Sequence, residues 1–259
     1  MEGFLKLESE SGSDQAMLTR LRKARWYAFD LDDTLHSFRK ASGTAVKAVL
    51  RVLHEQSGNA LEDLEAEYRR ILAQGTASAF VDGKTSHQYR EDRFQQLVRN
   101  FDIKLNDGQM PVLLDHYEEV LEDSLELKAG VLDLLQTLKR YGHKIAIITE
   151  GPQDAQERTV EALGLTPYID YLATTNKLRV AKTNGLFAKV LEHLKLEPKD
   201  MIMTGDSWER DIVPATQAGM YCVHYSEKVP QSDNMDGYMR ISELKRLRML
   251  IENAHPWLF

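Results

Sequence analysis

The stretch from Tyr27 to His36, YAFDLDDTLH, sets three carboxylates, Asp30, Asp32 and Asp33, at the end of an apolar run. Like charges held this close raise one another's pKa unless something positive compensates them. One aspartate there would be an ordinary turn residue. Asp30 and Asp32, however, stand two apart, the period of a strand, so both side chains are expected on one side. That arrangement is costly without a cation. Three further groups are of the same kind. Thr149-Glu150-Gly151 follows the run KIAII, Gly205-Asp206 follows MIMT with Asp211 five residues on, and Lys182 stands in VAKTNG. Singly each has a plain explanation: Thr149 could cap a helix ahead of Pro152, and most lysines are merely solvated. Lys182 is nevertheless expected near a helix N-terminus, where the dipole disfavours a cation, and this points to a local anion.

These residues need elements to position them. Short apolar runs at 26–31, 144–149, 170–174, 201–204 and 221–224 read as buried strands, with helical patterns between them. That alternation predicts an α/β fold, a doubly wound parallel sheet with helices on both faces. The helix over 131–140 shows Val131, Leu134, Leu135 and Leu138 on one face and stops at Gly142. Another over 153–163 stops at Gly164, and one over 184–194 presents Phe187, Val190, Leu191 and Leu194. In open parallel sheets ligands bind beyond the carboxyl ends of the strands, and the acidic and polar groups above lie at such ends. A crossover needs about a dozen residues, yet more than a hundred separate Leu31 from Lys144. Most of the excess is helical. Its stripes are Val46, Val49, Leu50 and Leu53; Leu61, Leu64, Tyr68, Ile71 and Leu72; Phe94, Leu97 and Val98; and Met110, Leu113, Leu114, Tyr117, Val120 and Leu121. The expected organisation is a polar, partly mobile extension over 1–20, a core from 21–37 and 126–259, and an inserted all-helical unit over 38–125. Gly43 and Gly130 are expected to give compliance near the two ends of that unit.

Taken in order, Asp30-Leu31-Asp32-Asp33-Thr34, Thr149, Lys182 and Gly205-Asp206-Ser207 with Asp211 resemble the haloacid dehalogenase superfamily, specifically its phosphatases with a helical cap. The resemblance covers roughly residues 24–226. It implies a Rossmann-like catalytic core carrying a cap, with Asp30 as the nucleophile forming an aspartyl-phosphate. Asp32 is implied as general acid, then general base. A Mg²⁺ ion would be held by the Asp30 carboxylate, the Asp32 main-chain carbonyl and Asp206, with Asp211 ligating directly or standing behind them. Thr149, Glu150, Gly151 (through its N–H) and Lys182 form the implied phosphate site, and Lys182 with Mg²⁺ would compensate the clustered carboxylates. Asp33 is expected to cap or orient the loop. Many relatives have Asn where this chain has Glu150, and the usual proline-containing stretch after Lys182 is replaced by Thr183-Asn184-Gly185. Lys177 competes with Lys182 for the phosphate; Lys182 is preferred because it abuts a helix.

Composition narrows the classes. A formal charge of −7 and a pI near 5.7 argue against nucleic-acid binding. The single cysteine, Cys222, excludes an internal disulfide and a multi-thiolate metal site. MEGFLKLESESGSDQ has no basic and apolar leader pattern, and no run approaches the ~18 apolar residues of a membrane span. A soluble, cytoplasmic enzyme acting on a small phosphorylated metabolite is expected, as monomer or homodimer. A phosphomutase would share every motif. A 2-haloacid dehalogenase fits less well, because displacing halide needs no proton and leaves Asp32 without a task. A catalytically silent binding protein is the alternative outside enzymes, and every motif position holds a competent residue. Specificity is expected from the insert, where Lys84, His87, Tyr89, Arg90 and Arg93 could meet a substrate or simply form an exposed helix start. His36, Ser37, Phe38 and Arg39, in the linker, are better placed by position.

Overall fold

The computed structural model describes residues 12–75, 80–228 and 237–256. In chain order the main elements are α1 (Gly12–Lys23), β1 (Trp26–Phe29), α2 (Phe38–Ser57), α3 (Leu61–Gly75), α4 (Ser86–Asn100) and α5 (Gln109–Asp123). They continue as α6 (Val131–Arg140), β2 (Lys144–Thr149), α7 (Gln153–Ala162), β3 (Tyr171–Thr174), α8 (Thr175–Leu178) and α9 (Leu186–Leu194). The last are β4 (Met201–Gly205), α10 (Val213–Gln217), β5 (Tyr221–Tyr225), β6 (Tyr238–Ile241) and α11 (Leu244–Ala254).

The strands form one sheet in the order β3-β2-β1-β4-β5-β6, all parallel. The chain winds to one side from β1 through β2 to β3, then returns past β1 and winds to the other side. Strand order therefore reverses between β1 and β4, and a crevice opens beyond their carboxyl ends. Side-chain alternation divides the sheet's apolar residues between two cores. Tyr27, Phe29, Ile145, Ile147 and Val223 pack with α1, α6 and α11, while Ala28, Ala146, Ile148 and Met203 pack with α9 and α10. Helices α2–α5 own a third apolar core, built on Val49, Leu50, Leu53, Leu64, Phe94 and Leu97. The α/β core with an inserted helical cap, expected from the sequence, is the architecture observed.

Several particulars differ. The stretch assigned to a polar extension is helical from Gly12, and Met17 and Leu21 are buried against the core; residues 1–11 lie outside the described residues. Met17, Leu18 and Leu21, in an otherwise polar stretch, were too sparse a signal for a docked helix. β1 ends at Phe29 rather than at residue 31, so strand period does not control where Asp30 and Asp32 point. β6 was not expected; its sequence YMRI alternates half-buried and buried positions at the sheet edge, behind a polar stretch. Gly43 sits inside α2 and is no hinge. The connections to the cap instead pair with each other: His36 bridges both Asp32 and Leu127, and Lys128 N–H donates to the Leu35 carbonyl at 2.9 Å. Among the described residues, no helix is long and apolar enough to cross a membrane.

Docking of α1 is directly testable. Leu21 is fully buried and its carbonyl accepts from the Tyr27 hydroxyl at 2.7 Å. Leu21→Ala is expected to destabilise the protein by about 3 kcal/mol, measured by urea unfolding. A midpoint equal to wild type would show that the helix does not dock in solution.

Candidate active site

The site is built where β1 and β4 end. Asp30 leaves β1 with its N–H still bonded to the Thr204 carbonyl of β4 at 2.9 Å. Its Oδ1 accepts from Lys182 Nζ at 2.5 Å, and Lys182 also donates to Asp211 Oδ1 at 2.6 Å. All three residues are buried. Burial works against the Lys182 ammonium, but Asp211 and Asp30 more than offset it and hold its pKa above the usual lysine value. Asp211 Oδ2 accepts from the Ser207 N–H at 3.0 Å. Burial, opposed by Lys182, pushes the Asp211 carboxyl up to about 7. Burial and the nearby Asp30 charge likewise raise the Asp206 pKa. Thr34 ties these groups together: its Oγ1 accepts from the Asp206 N–H at 3.0 Å and lies 3.2 Å from Asp30 Oδ2.

Carboxylate oxygens of Asp30, Asp206 and Asp211 all lie within 4.8 Å of one another. Three carboxylates thus gather around one buried ammonium, with Arg39 3.6 Å from Asp206 Oδ2, and burial is the main cause of the raised pKa values of Asp206 and Asp211. An all-oxygen set of this kind fits a hard divalent cation such as Mg²⁺. Lys177, the competing lysine, is exposed on α8 and away from this cluster.

Asp32 points elsewhere. Its Oδ1 is 2.9 Å from His36 Nε2, and Gln156 Nε2 lies 3.5 Å from its Oδ2. Burial raises its pKa, against the pull of His36. His36 is therefore not a substrate contact, as its position in the linker implied, but a fully buried support for Asp32. Asp33 adopts a left-handed backbone at φ 61° and accepts from the Arg39 N–H in the first turn of α2 at 3.1 Å. It anchors the loop.

Thr149, at the end of β2, donates to Gln156 Oε1 at 3.2 Å, and the Gly151 N–H makes a long contact of 3.4 Å with Thr175 Oγ1. Both residues line the same cavity as Asp30 and Lys182. Glu150, expected among the phosphate binders, lines the same cavity, with its carboxylate already engaged. Its carboxylate accepts from the Lys182 N–H and from Arg210 Nη1, both at 3.3 Å. A carboxylate repels an anion, so this side chain braces the lysine loop and neutralises Arg210.

The cavity over the cluster has a volume of about 430 Å³, with walls from both halves of the chain. Phe38, Arg39, Tyr89, Arg90 and Arg93 of the expected specificity residues line it. Lys84 instead pairs with Asp92 at 2.9 Å on the surface, and His87 is exposed. Arg69, Tyr117, Glu118, Gln156, Arg158 and Arg210 also line it; none was expected at the site from the sequence, where Tyr117 read only as part of an apolar stripe. Cap and core meet through polar groups. Ser86 Oγ donates to Asp154 Oδ2 at 2.6 Å, and Arg158 reaches Ser86 Oγ at 2.8 Å and Glu118 Oε1 at 2.9 Å.

The family model for haloacid dehalogenase-like hydrolases matches residues 24–219. The HAD-hydrolase YfnB of Bacillus subtilis is 28% identical over 77% of this chain and 83% of that protein. Glyceraldehyde 3-phosphate phosphatase of Methanocaldococcus jannaschii is 24% identical over 87% of this chain and 96% of that one. The magnesium-bound crystal structure of YfnB shares the fold, with a TM-score of 0.66 and 24% identity over 89% of this chain and 99% of that one.

One backbone position controls the cluster. A Cβ at Gly205 would lie 2.5 Å from the Asp211 Cβ, Cγ and Oδ2 atoms. Gly205→Ala is therefore expected to displace Asp211 and lower stability by about 1–3 kcal/mol, the range for overpacking, read by thermal unfolding. An unaltered melting temperature would show that Asp211 is not held against β4 as described.

Proposed function

Because the chain belongs to the haloacid dehalogenase-like hydrolases, we propose that it is a Mg²⁺-dependent phosphomonoesterase acting on a small phosphorylated metabolite. The observation that carries this reading is the buried Asp30–Lys182–Asp211 cluster, open to a cavity that also holds Asp32 on a separate set of partners. The division of the two aspartates matches two tasks. Asp30, bonded to Lys182 and lining the cavity, is the one suited to attack. Asp32, whose pKa burial raises, is the one suited to exchanging a proton with the leaving oxygen.

In this reading the Asp30 carboxylate oxygen attacks phosphorus as the bond from phosphorus to the ester oxygen breaks. Asp32 gives its proton to the departing oxygen, so the leaving group departs as an alcohol. Water then attacks the aspartyl-phosphate, passing a proton back to Asp32, and inorganic phosphate leaves with Asp30 regenerated. Lys182, Thr149 and the Gly151 N–H are placed to bind phosphoryl oxygens, and Lys182 stabilises the charge that gathers on them. Asp30, the Asp32 main-chain carbonyl and Asp206 would hold Mg²⁺, with Asp211 behind them fixing Lys182. Bound there, the ion supplies positive charge that neutralises the phosphoryl oxygens. His36 and Gln156 orient Asp32. The support for phosphatase over dehalogenase chemistry is this elaborated proton carrier, which halide displacement does not use.

Two substitutions separate the roles. Asp30→Asn is expected to abolish hydrolysis of p-nitrophenyl phosphate in Mg²⁺, with melting temperature unchanged or raised as carboxylate repulsion is relieved. Turnover near wild type, with reversion by deamidation excluded by mass spectrometry, would refute the nucleophile assignment. Asp32→Asn should penalise alkyl phosphates more than p-nitrophenyl phosphate, whose phenolate leaves unaided, by roughly 10²-fold in kcat/KM. Equal losses on both would show that Asp32 is not the acid.

A further inference from the structure

We propose that the substrate carries, besides its phosphate ester, a second anionic group, a carboxylate or a second phosphate, and that Arg93 of the cap receives it. The inference deepens the phosphomonoesterase reading and rests on it. The other cations of the cavity wall have partners on the protein. Arg90 pairs with Glu118 Oε2, and Arg158 takes the other oxygen of the same carboxylate. Arg69 pairs with Glu65 at 3.6 Å, Arg210 with Glu150 at 3.3 Å, and Lys182 with Asp30 and Asp211.

Arg93 differs from all of these. It lines the cavity, yet among the described residues no carboxylate pairs with it, and its Nη2 is buried with no hydrogen-bond partner. Its near neighbours are uncharged: the Tyr68 hydroxyl and the rings of Tyr89 and Phe80, whose centroids lie 5.9 and 6.0 Å from its Cζ. Ring faces attract a cation only weakly at that range, and a partly buried charge without a counter-charge is costly. The planar guanidinium offers a fork of donors that matches a carboxylate or phosphate. Apolar wall residues such as Phe38, Leu72 and Leu121 lower the local dielectric and strengthen any such pairing. The unmet charge on the cap side thus selects substrates that are anionic at both ends.

The test uses matched pairs that differ only at the far end. The carboxylate arm sets 3-phosphoglycerate, erythronate 4-phosphate and 6-phosphogluconate against glycerol 3-phosphate, erythritol 4-phosphate and glucitol 6-phosphate. The phosphate arm sets fructose 1,6-bisphosphate against fructose 6-phosphate. In at least one pair, wild type should favour the second anion by on the order of 10- to 100-fold in kcat/KM, mainly through KM. Arg93→Met should bring that ratio close to one, and Arg93→Lys should keep part of it. The ratio is taken within each protein, so a general loss of activity does not mimic the effect. Calorimetric titration of the same pairs into the Asp30→Asn protein reads the preference without turnover. If no ester is hydrolysed, p-nitrophenyl phosphate included, the phosphomonoesterase reading fails. If hydrolysis occurs but neither turnover nor titration distinguishes the members of any pair, or the preference survives in Arg93→Met, the Arg93 inference alone is overturned.

Discussion

Burying one lysine between two aspartates is the constraint on which the site depends. Lys182 is almost wholly removed from water, at 2% exposure, and donates to Asp30 and Asp211 together. Removing three charges from water is expensive, and Coulomb attraction offsets that only when the geometry is good and the remaining lone pairs are satisfied. Here they are: Thr34 serves Asp30, the Ser207 N–H serves Asp211, and Glu150 holds the Lys182 main chain. The cluster still carries more negative than positive charge once Asp206 is counted. That imbalance makes the pocket a receptor for positive charge.

The sheet topology makes this arrangement attainable. Asp30 follows β1, Asp206 follows β4, and these two strands are neighbours although far apart in sequence. Parallel pairing brings both carboxyl ends to one edge, where successive crossovers diverge to opposite sides and leave room for side chains. Gly205 completes the fit, because the absence of a Cβ lets the Asp211 carboxylate lie against β4. Lys182 arrives from a third direction, in the turn before α9, and reaches across to both acids. Three chain segments separated by many residues thus meet at one point because the sheet's order reverses there.

How much of this was legible in the sequence depended on the kind of signal. Asp30 and Asp206 stood out because carboxylates ending apolar strands are unusual, Lys182 because a cation near a helix N-terminus is, and these with Asp211 carried the family resemblance through their order. The cap was legible because four helical stripes lay between strands that need only a short crossover. Glu150 lines the cavity with its sequence neighbours Thr149 and Gly151, but nothing in the sequence showed that its carboxylate would turn to Arg210 and the Lys182 main chain. His36 lies four residues from Asp32, a spacing visible in the sequence, but nothing there showed that the linker would fold back to bury it. Gln156 and Arg158 were invisible for a different reason. Their partners Asp32, Ser86 and Glu118 are distant in sequence, and a polar residue on a helix face carries no mark of a partner across a cavity.

The separation of apolar cores explains why so much polar structure gathers between the two halves. The sheet faces and the cap each close their own hydrophobic clusters, so neither half requires the other to bury its apolar surface. What remains for the contact between them is hydrogen bonding: Ser86 with Asp154, Arg158 with Glu118, and Asn176 with the Phe80 and Lys84 carbonyls at 3.1 Å. Such bonds contribute only about 1 kcal/mol each, because water replaces them when they are absent, though they are strict about direction. Direction is what a shared cavity needs. A greasy interface would tolerate sliding, whereas these donors and acceptors fix the cap's register over Asp30 and set Arg93 on the wall above it.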